Sequence, residues 1–251
     1  MSALSTSSRS GYRDRIYSRY PDKHVGWQDT SSPVYRRWAN GAAAHLRGWL
    51  PQDKHAACLD LGCGPGNVLY MLRELGYSNT TGVDLSGAWM PVARQICPNV
   101  IQADAREYLR NRHQEFDLIT AFDVAEHLRK DELLDFLDLI YQALRPGGSV
   151  ILQTPNAESP WGCMHRYHDL THELAFDPHS LSDCCSLSGF EKFQAREVGP
   201  YVHGIPSLVR RVIWSTIRMG LELWNLAETG APGSGVYTRV FLAHAVRPVK
   251  S

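Results

Sequence analysis

The chain lacks a net charge: 26 Lys and Arg are balanced by 26 Asp and Glu in 251 residues. No overall field draws it to nucleic acid or to an anionic surface, which argues against a nucleic-acid partner. It also lacks a long hydrophobic run, since no stretch approaches the ~20 apolar residues that a membrane span requires. Met1 to Gly11 is rich in Ser and has no apolar h-region, so it reads as a disordered tail and not as a secretory signal. The six cysteines, at positions 58, 63, 97, 163, 184 and 185, contain no CxxC pair. That spacing argues against a zinc site built on them and suits a reducing compartment, so a cytoplasmic address is expected. No internal repeat and no second domain is visible. Hydrophobic residues at 43% and charged residues at 21% are those of an ordinary globular domain.

What is present is an alternation of short apolar runs and amphipathic segments. Strands are predicted at Ala56–Leu61, Thr80–Asp84, Val100–Gln102, Phe116–Ala121, Ser149–Gln153, Lys192–Val198 and Val236–Val246. Helices are predicted at Val34–Leu50, Asn67–Leu75, Pro91–Ile96, Lys130–Leu144 and His179–Ser188, where apolar residues recur at helical spacing. This order predicts an α/β fold: a Rossmann-like, seven-stranded, mostly parallel sheet with an antiparallel last strand and helices on both faces. The last two strands are expected to form an antiparallel edge. Residues 1–50 are expected to form a tail and helix that contribute to the cover of a cofactor and an acceptor. Residues 51–251 form the main domain, with an insertion at about 199–235 that is too long for a hairpin turn.

The turn after the first strand reads Leu59-Asp60-Leu61-Gly62-Cys63-Gly64-Pro65-Gly66. Glycines at 62, 64 and 66 let the backbone pass close to a ligand, and the helix that follows presents its amides to it. Asp60 offers a carboxylate where a cationic amino-acid head could sit. Asp84 ends the next strand, where an acid can hold both hydroxyls of a ribose. Asp104 follows the third strand, where a side chain could accept from an adenine amino group. A dinucleotide site is the alternative, but Asp60 would repel a pyrophosphate and the glycine spacing differs.

These motifs resemble those of class I S-adenosylmethionine-dependent methyltransferases. The resemblance spans about residues 56–155 and adds Asp104-Ala105, Phe122-Asp123-Val124-Ala125-Glu126-His127-Leu128 and Leu144-Arg145-Pro146-Gly147-Gly148. It implies S-adenosylmethionine as cofactor, bound by Asp60, Gly62, Cys63, Gly64, Gly66, Asp84, Leu85, Asp104, Ala105 and Phe122.

The acceptor is expected beyond the carboxyl ends of strands four to six. Asp123, Glu126 and His127 would share one face of a helical turn. The segment resembles an ExxEH arrangement that holds a divalent ion in some O-methyltransferases. Here Asp123 shortens one arm, so a metal on Asp123, Glu126 and His127 is weighed but not favoured over a plain helix start. A second segment, His165-Arg166-Tyr167-His168-Asp169-Leu170-Thr171-His172-Glu173, gathers three histidines and two acids. A hydroxyl acceptor needs a base or a metal to remove its proton. His168 or His172 with Asp169 or Glu173 is the expected dyad, with His127 lining the reaction centre; a structural loop is the alternative.

Pro155-Asn156-Ala157-Glu158-Ser159-Pro160, the His165–Glu173 segment and Gly199-Pro200-Tyr201-Val202-His203-Gly204 resemble methyltransferases of bacterial cell-surface polysaccharide gene clusters. That resemblance implies a sugar hydroxyl as acceptor and a role in polysaccharide biosynthesis. The insertion places Leu208, Val209, Val212, Ile213, Ile217, Leu221, Leu223 and Trp224 among Arg210, Arg211 and Arg218. It reads as an amphipathic helix: a lid, an oligomer contact, a peripheral membrane contact for a lipid-linked glycan, or plain packing. Rival functions are a small-molecule methyltransferase acting on a quinone-like or amine acceptor, and a cofactor-binding regulator without turnover.

Overall fold

The computed structural model describes residues 11, 15, 16 and 25–249. The expected N-terminal tail, and most of the aromatic and basic stretch that follows it, lie outside the described residues.

Helix α1 (Pro33–His45) starts at Ser32, whose hydroxyl accepts from the Val34 amide, with Pro33 at a position that needs no N–H. Then follow β1 (Cys58–Leu61), α2 (Asn67–Glu74), β2 (Thr80–Asp84), α3 (Met90–Ile96), β3 (Val100–Gln102), α4 (Ala105–Leu109) and β4 (Phe116–Phe122). The second half holds α5 (Lys130–Ala143), β5 (Leu144–Pro155), α6 (Gly162–His168), α7 (Pro178–Leu187), β6 (Glu191–Glu197), α8 (Ile205–Thr229) and β7 (Val240–Val246). The strands make one sheet in the order β3-β2-β1-β4-β5-β7-β6. β1 to β5 pair in parallel, and β7 runs antiparallel to both β5 and β6. The predicted seven-stranded α/β sheet with an antiparallel last strand is the one observed. The last two strands form the expected antiparallel edge, with β6 outermost and β7 between β5 and β6.

Alternate residues of the central strands feed two cores, one on each face of the sheet. Leu59, Leu61, Ile119, Ala121, Val150 and Leu152 pack with Leu133, Phe136, Leu137 and Ile140 of α5. Cys58, Leu118, Ile151 and Leu242 pack on the other side with Tyr35 and Ala39 of α1, Leu69 and Leu72 of α2 and Ala93 of α3. Helices therefore cover both faces, which is why the inner strands tolerate near-continuous apolar sequence.

Two differences from expectation come from partners distant in the chain. The turn Arg145-Pro146-Gly147-Gly148 is a bulge inside β5: Phe116 pairs with Leu144, then Leu118 with Ser149. The last strand starts at Val240, not Val236, because the Asn156 amide donates to the carbonyls of Val236 and Thr238 at 2.8 and 3.0 Å. The 199–235 insertion is largely one helix, α8, about 37 Å long by its residue count. Ser207 is its one buried residue, while Leu208, Val212, Ile213, Leu223 and Trp224 are exposed. On its expected basic side Arg218, itself exposed, is paired with Glu197 at 3.6 Å and Glu222 at 3.2 Å.

Arg247, nearly buried, closes the end of α5 onto the start of β5. Its Nη1 donates to the carbonyls of Tyr141, Gln142 and Leu144 at 2.7, 3.1 and 2.7 Å, and its guanidinium lies over the Tyr141 ring. Arg247→Met strands those carbonyls. We expect a loss of about 2 kcal/mol, seen in calorimetry as a fall in Tm of about 4–8 °C with the far-ultraviolet dichroism unchanged. An unaltered Tm would mean the cap carries no stability.

Candidate active site

A cleft of about 650 Å³ opens at the carboxyl ends of β1, β2, β4 and β5, where open α/β sheets bind their ligands. One end is built from the glycine turn. Asp60 is a carboxylate inside a fully buried strand, and the β1–β4 register sets it opposite Thr120. The Thr120 hydroxyl donates to Asp60 Oδ1 at 2.7 Å; Oδ2 has no hydrogen-bond partner among the described residues. Burial, reinforced by Asp84 and opposed by Thr120, pushes the Asp60 carboxyl up to about 7. Asp84 accepts from the Gly64 amide at 2.7 Å and the Ser86 amide at 2.7 Å. Its carboxyl is likewise raised by burial, against those two amides.

Gly62 has a φ of +67°, and a Cβ on it would run into the Val124 side chain. Only glycine meets both conditions. Nine of the ten expected cofactor residues line the cleft, Gly66 being the exception. Gly66 turns the chain into α2 with a φ of +91°, and a Cβ there would meet Ile96 Cδ1 at 3.1 Å. It is a packing and capping residue. Asp104 borders the cleft, but its Oδ1 caps α4 by accepting from the Arg106 and Glu107 amides at 2.8 and 3.2 Å. Trp27, Trp38, Trp89 and Phe122 add aromatic wall. Trp27 and Trp38 belong to the N-terminal 50 residues that were expected to cover the site.

The other end holds the acidic and imidazole groups. Asp123 sits at a φ of +55°, a left-handed conformation that Asp tolerates locally, and accepts from the Gln153 amide at 3.0 and 3.2 Å. Ala125–His127 is a single tight turn that carries Glu126 and His127. Glu126 is wholly buried; Thr154 donates to its Oε2 at 3.2 Å, and Oε1 has no hydrogen-bond partner among the described residues. Desolvation first, then the charge of Asp123, holds the Glu126 carboxyl well above the usual carboxylate range. Asp123 is exposed to the cleft, and desolvation by the surrounding walls raises its carboxyl too.

The His165–Glu173 segment is pinned to this turn through its main chain. The amides of Glu173 and Leu174 donate to the Glu126 carbonyl at 2.7 and 3.0 Å. The Arg166 guanidinium donates to the carbonyls of His172 and Glu173. This folding brings the His172 ring to 4.8 Å from that of His127, edge to face. Asp169 Oδ1 accepts from the Thr171 hydroxyl at 2.7 Å, so the Thr171 oxygen accepts from His127 Nδ1 at 2.8 Å. His172 Nδ1 donates to the His165 carbonyl at 3.0 Å. Desolvation lowers the His172 pKa, which leaves its imidazole neutral at physiological pH.

The expected dyad is thereby redrawn. Asp169 reaches a histidine, but the histidine is His127, through Thr171. His168 lines the cleft from an exposed position, whereas Glu173 is exposed and lies off the cleft wall. The weighed metal set of Asp123, Glu126 and His127 is not the cluster the fold makes: the convergent ligand atoms are those of Glu126, His127 and His172. Thr120, Thr154 and Thr171 went unread in the sequence, because a threonine orienting an acid or imidazole is visible only through strand register or loop closure.

The profile of a family described as "Methyltransferase domain" matches residues 35–195. The chain is 35% identical over 138 residues to a trans-aconitate 2-methyltransferase of Azoarcus sp. strain BH72, covering 53% of each. It is 33% identical over 120 residues to a malonyl-[acyl-carrier protein] O-methyltransferase of Enterobacter lignolyticus strain SCF1, covering 47% of this chain and 46% of that protein. The chain thus spans about half the length of these curated relatives. A crystal structure of a SAM-dependent methyltransferase from Archaeoglobus fulgidus shares the fold with a TM-score of 0.60 at 22% identity, covering 87% of this chain and all of that one.

The donor set can be tested directly. A cationic amino group would pair with Asp60 Oδ2 only when the carboxyl is ionised, so binding costs a proton below about pH 7. By calorimetry, S-adenosylmethionine affinity should fall about tenfold per pH unit below that point. Asp84 acts on the Asp60 carboxyl through its charge, so Asp60→Asn isolates the cause by flattening the profile. A profile equally steep in the variant would assign the proton elsewhere.

Proposed function

The chain belongs to the methyltransferase-domain family, and on that footing we propose that it transfers the methyl group of S-adenosylmethionine to a hydroxyl oxygen, a sugar hydroxyl of a surface glycan or its precursor being the acceptor. One observation carries the reading: a cation-seeking end at Asp60 and Asp84 shares a single cleft with the Glu126, His127 and His172 cluster. The first end fits the cofactor, since the unpartnered Asp60 Oδ2 suits an ammonium and the Asp84 carboxylate suits vicinal hydroxyls. When bound, the cofactor supplies an electrophilic methyl carbon on a sulfonium.

The chain's own residues would do the rest. Gly62 and Gly64 admit the ligand backbone closely, Asp60 and Asp84 hold its two polar ends, and Leu85, Asp104, Ala105 and Phe122 surround its base. The cluster would orient the acceptor oxygen and take up its proton, with Thr171 and Asp169 holding the His127 ring in one tautomer. His168, at the exposed rim of the cleft, would contact the acceptor and not the reacting oxygen.

The charge of the cleft favours an uncharged, hydroxyl-bearing acceptor. A polycarboxylate such as trans-aconitate would bring its charges against Asp123 and Asp169 on the cleft wall. Arg106, a cation on the same wall, is already bridged to Glu132 at 3.3 Å and Asp104 at 3.8 Å. A lipid-linked glycan precursor would explain the exposed apolar side of α8 as the face turned to a membrane surface.

We expect His127→Ala and His172→Ala each to lower kcat by about 10²–10⁴ while S-adenosylmethionine Kd stays within about twofold. The assay is mass spectrometry of added methyl on a panel of free, nucleotide-linked and lipid-linked sugars, with carboxylic acids and amines alongside. Methylation confined to the acids or the amines would remove the hydroxyl reading.

A further inference from the structure

We infer that a side pocket adjoining the cleft receives a phosphoryl group of the acceptor, with Arg37, His45 and Arg211 as its partners. The acceptor is then a sugar still joined to its phosphate carrier, and methylation precedes the transfer of that sugar into a chain. The inference rests on the hydroxyl reading for the acceptor's other end, not for the pocket.

The pocket, of about 190 Å³, lies between α1, the carboxyl ends of β4 and β5, and Val198 just after β6. Trp38, Phe122 and Gln153 line both this space and the main cleft, so the two adjoin. Whole small-molecule sites run to about 300–1,000 Å³. A space of this size suits one end of a ligand whose remainder lies in the cleft. The two spaces differ in charge. Asp60, Asp84, Asp104, Asp123 and Asp169 line the cleft, whereas no acid lines the pocket among the described residues. An anion repelled at the acid end is admitted here. That fixes the direction of the acceptor, with its hydroxyl toward Asp123 and His127 and its anion toward Arg37.

Three arginines approach His45 or the pocket it lines. Arg37 borders the pocket from an exposed position on α1. Arg211 Nη1 lies 3.7 Å from where a Cβ on Gly199 would stand, and the Gly199 carbonyl accepts from the His45 ring. Arg196 is committed elsewhere: its Nη1 donates to the carbonyls of His45 and Arg47 at 2.9 and 2.8 Å, and its guanidinium lies over the Trp49 ring. The guanidinium groups of Arg37 and Arg211 have no such partner among the described residues. Burial first, then the charges of Arg211 and Arg196, against the Gly199 carbonyl, lower the His45 pKa, as an uncompensated positive field does. A phosphoryl group brings nearly two negative charges and three acceptor oxygens, enough for two guanidinium forks, where a single carboxylate would occupy one. The floor is apolar, with Leu46 and Leu242 both buried, so such charge pairs are screened less than on an open surface.

The probe is inorganic pyrophosphate, titrated by calorimetry into the full chain with S-adenosylmethionine present, and malonate at matched ionic strength is the carboxylate control. The expected result is one bound pyrophosphate and much weaker malonate. Arg37→Ala and Arg211→Ala, each on an exposed side chain, should each weaken pyrophosphate about tenfold or more, with S-adenosylmethionine affinity unchanged. Arg210→Ala, which removes a neighbouring exposed charge, should stay within about twofold of wild type. In turnover, Arg37→Ala should raise KM about tenfold for a phosphate-linked sugar with kcat little changed, and leave a free sugar unaffected. A wild-type chain that binds no pyrophosphate, malonate bound equally well, or the same loss in Arg210→Ala as in the other two variants overturns the pocket. Free sugars methylated as efficiently as phosphate-linked ones overturn it too, while the hydroxyl reading stands. Pyrophosphate binding that depends on Arg37 and Arg211, in a chain that methylates only amines or carboxylic acids, sustains the pocket and sinks the hydroxyl reading alone.

Discussion

Carboxylates gathered at the carboxyl edge of the sheet set the terms for the rest of this molecule. Asp60, Asp84, Asp123 and Glu126 all carry raised pKa values, and burial is the first cause in each. An ionised acid in such a place is costly unless a positive partner or several donors meet it. Threonines and main-chain amides supply part of that compensation: Thr120 for Asp60, Thr154 for Glu126, the Gly64 and Ser86 amides for Asp84. Each leaves capacity for one more partner. The edge thereby suits a cationic ligand, on our reading a sulfonium-bearing amino acid at the end built from Asp60 and Asp84.

The sheet makes this concentration of acids bearable. β1, β4 and β5 are covered by helices on both faces, so their core residues fix the backbone without help from the acids at their ends. The strained points fall at those ends. Asp123 takes a left-handed conformation immediately after β4, and Gly62 one immediately after β1. Departures of that kind survive where surrounding structure over-determines the fold and where a ligand is met. The main-chain clamp from Glu173 and Leu174 onto the Glu126 carbonyl fixes the far end of the cleft in the same way. It converts a segment remote in sequence into the wall opposite His127.

Much of the fold could be read from local pattern, because a buried parallel strand and an amphipathic helix each advertise themselves within ten residues. Val100–Gln102 and Thr80–Asp84 have the predicted limits, and the apolar stripe of Lys130–Ala143 packs on the sheet as its spacing requires. The misreadings share one cause. The bulge at Arg145–Gly148 and the late start of β7 depend on partners far away in the chain. Gly66 sits at the start of α2 against Ile96 and off the cleft wall, a placement that the glycine spacing alone does not give.

By itself the sequence determined the α/β architecture, the strand-turn-helix of Asp60 to Gly66 and the acids at 60, 84 and 104, because these depend on residues close together along the chain. It also marked Glu126, His127 and the His165–Glu173 stretch as chemically unusual. It could not pair them. Tertiary structure alone decided that Asp169 serves His127 through Thr171 and that His172, not Asp123, completes the cluster with Glu126. Those partners are separated by about forty residues, and only the closure of two loops over the sheet edge brings their donors and lone pairs into one place.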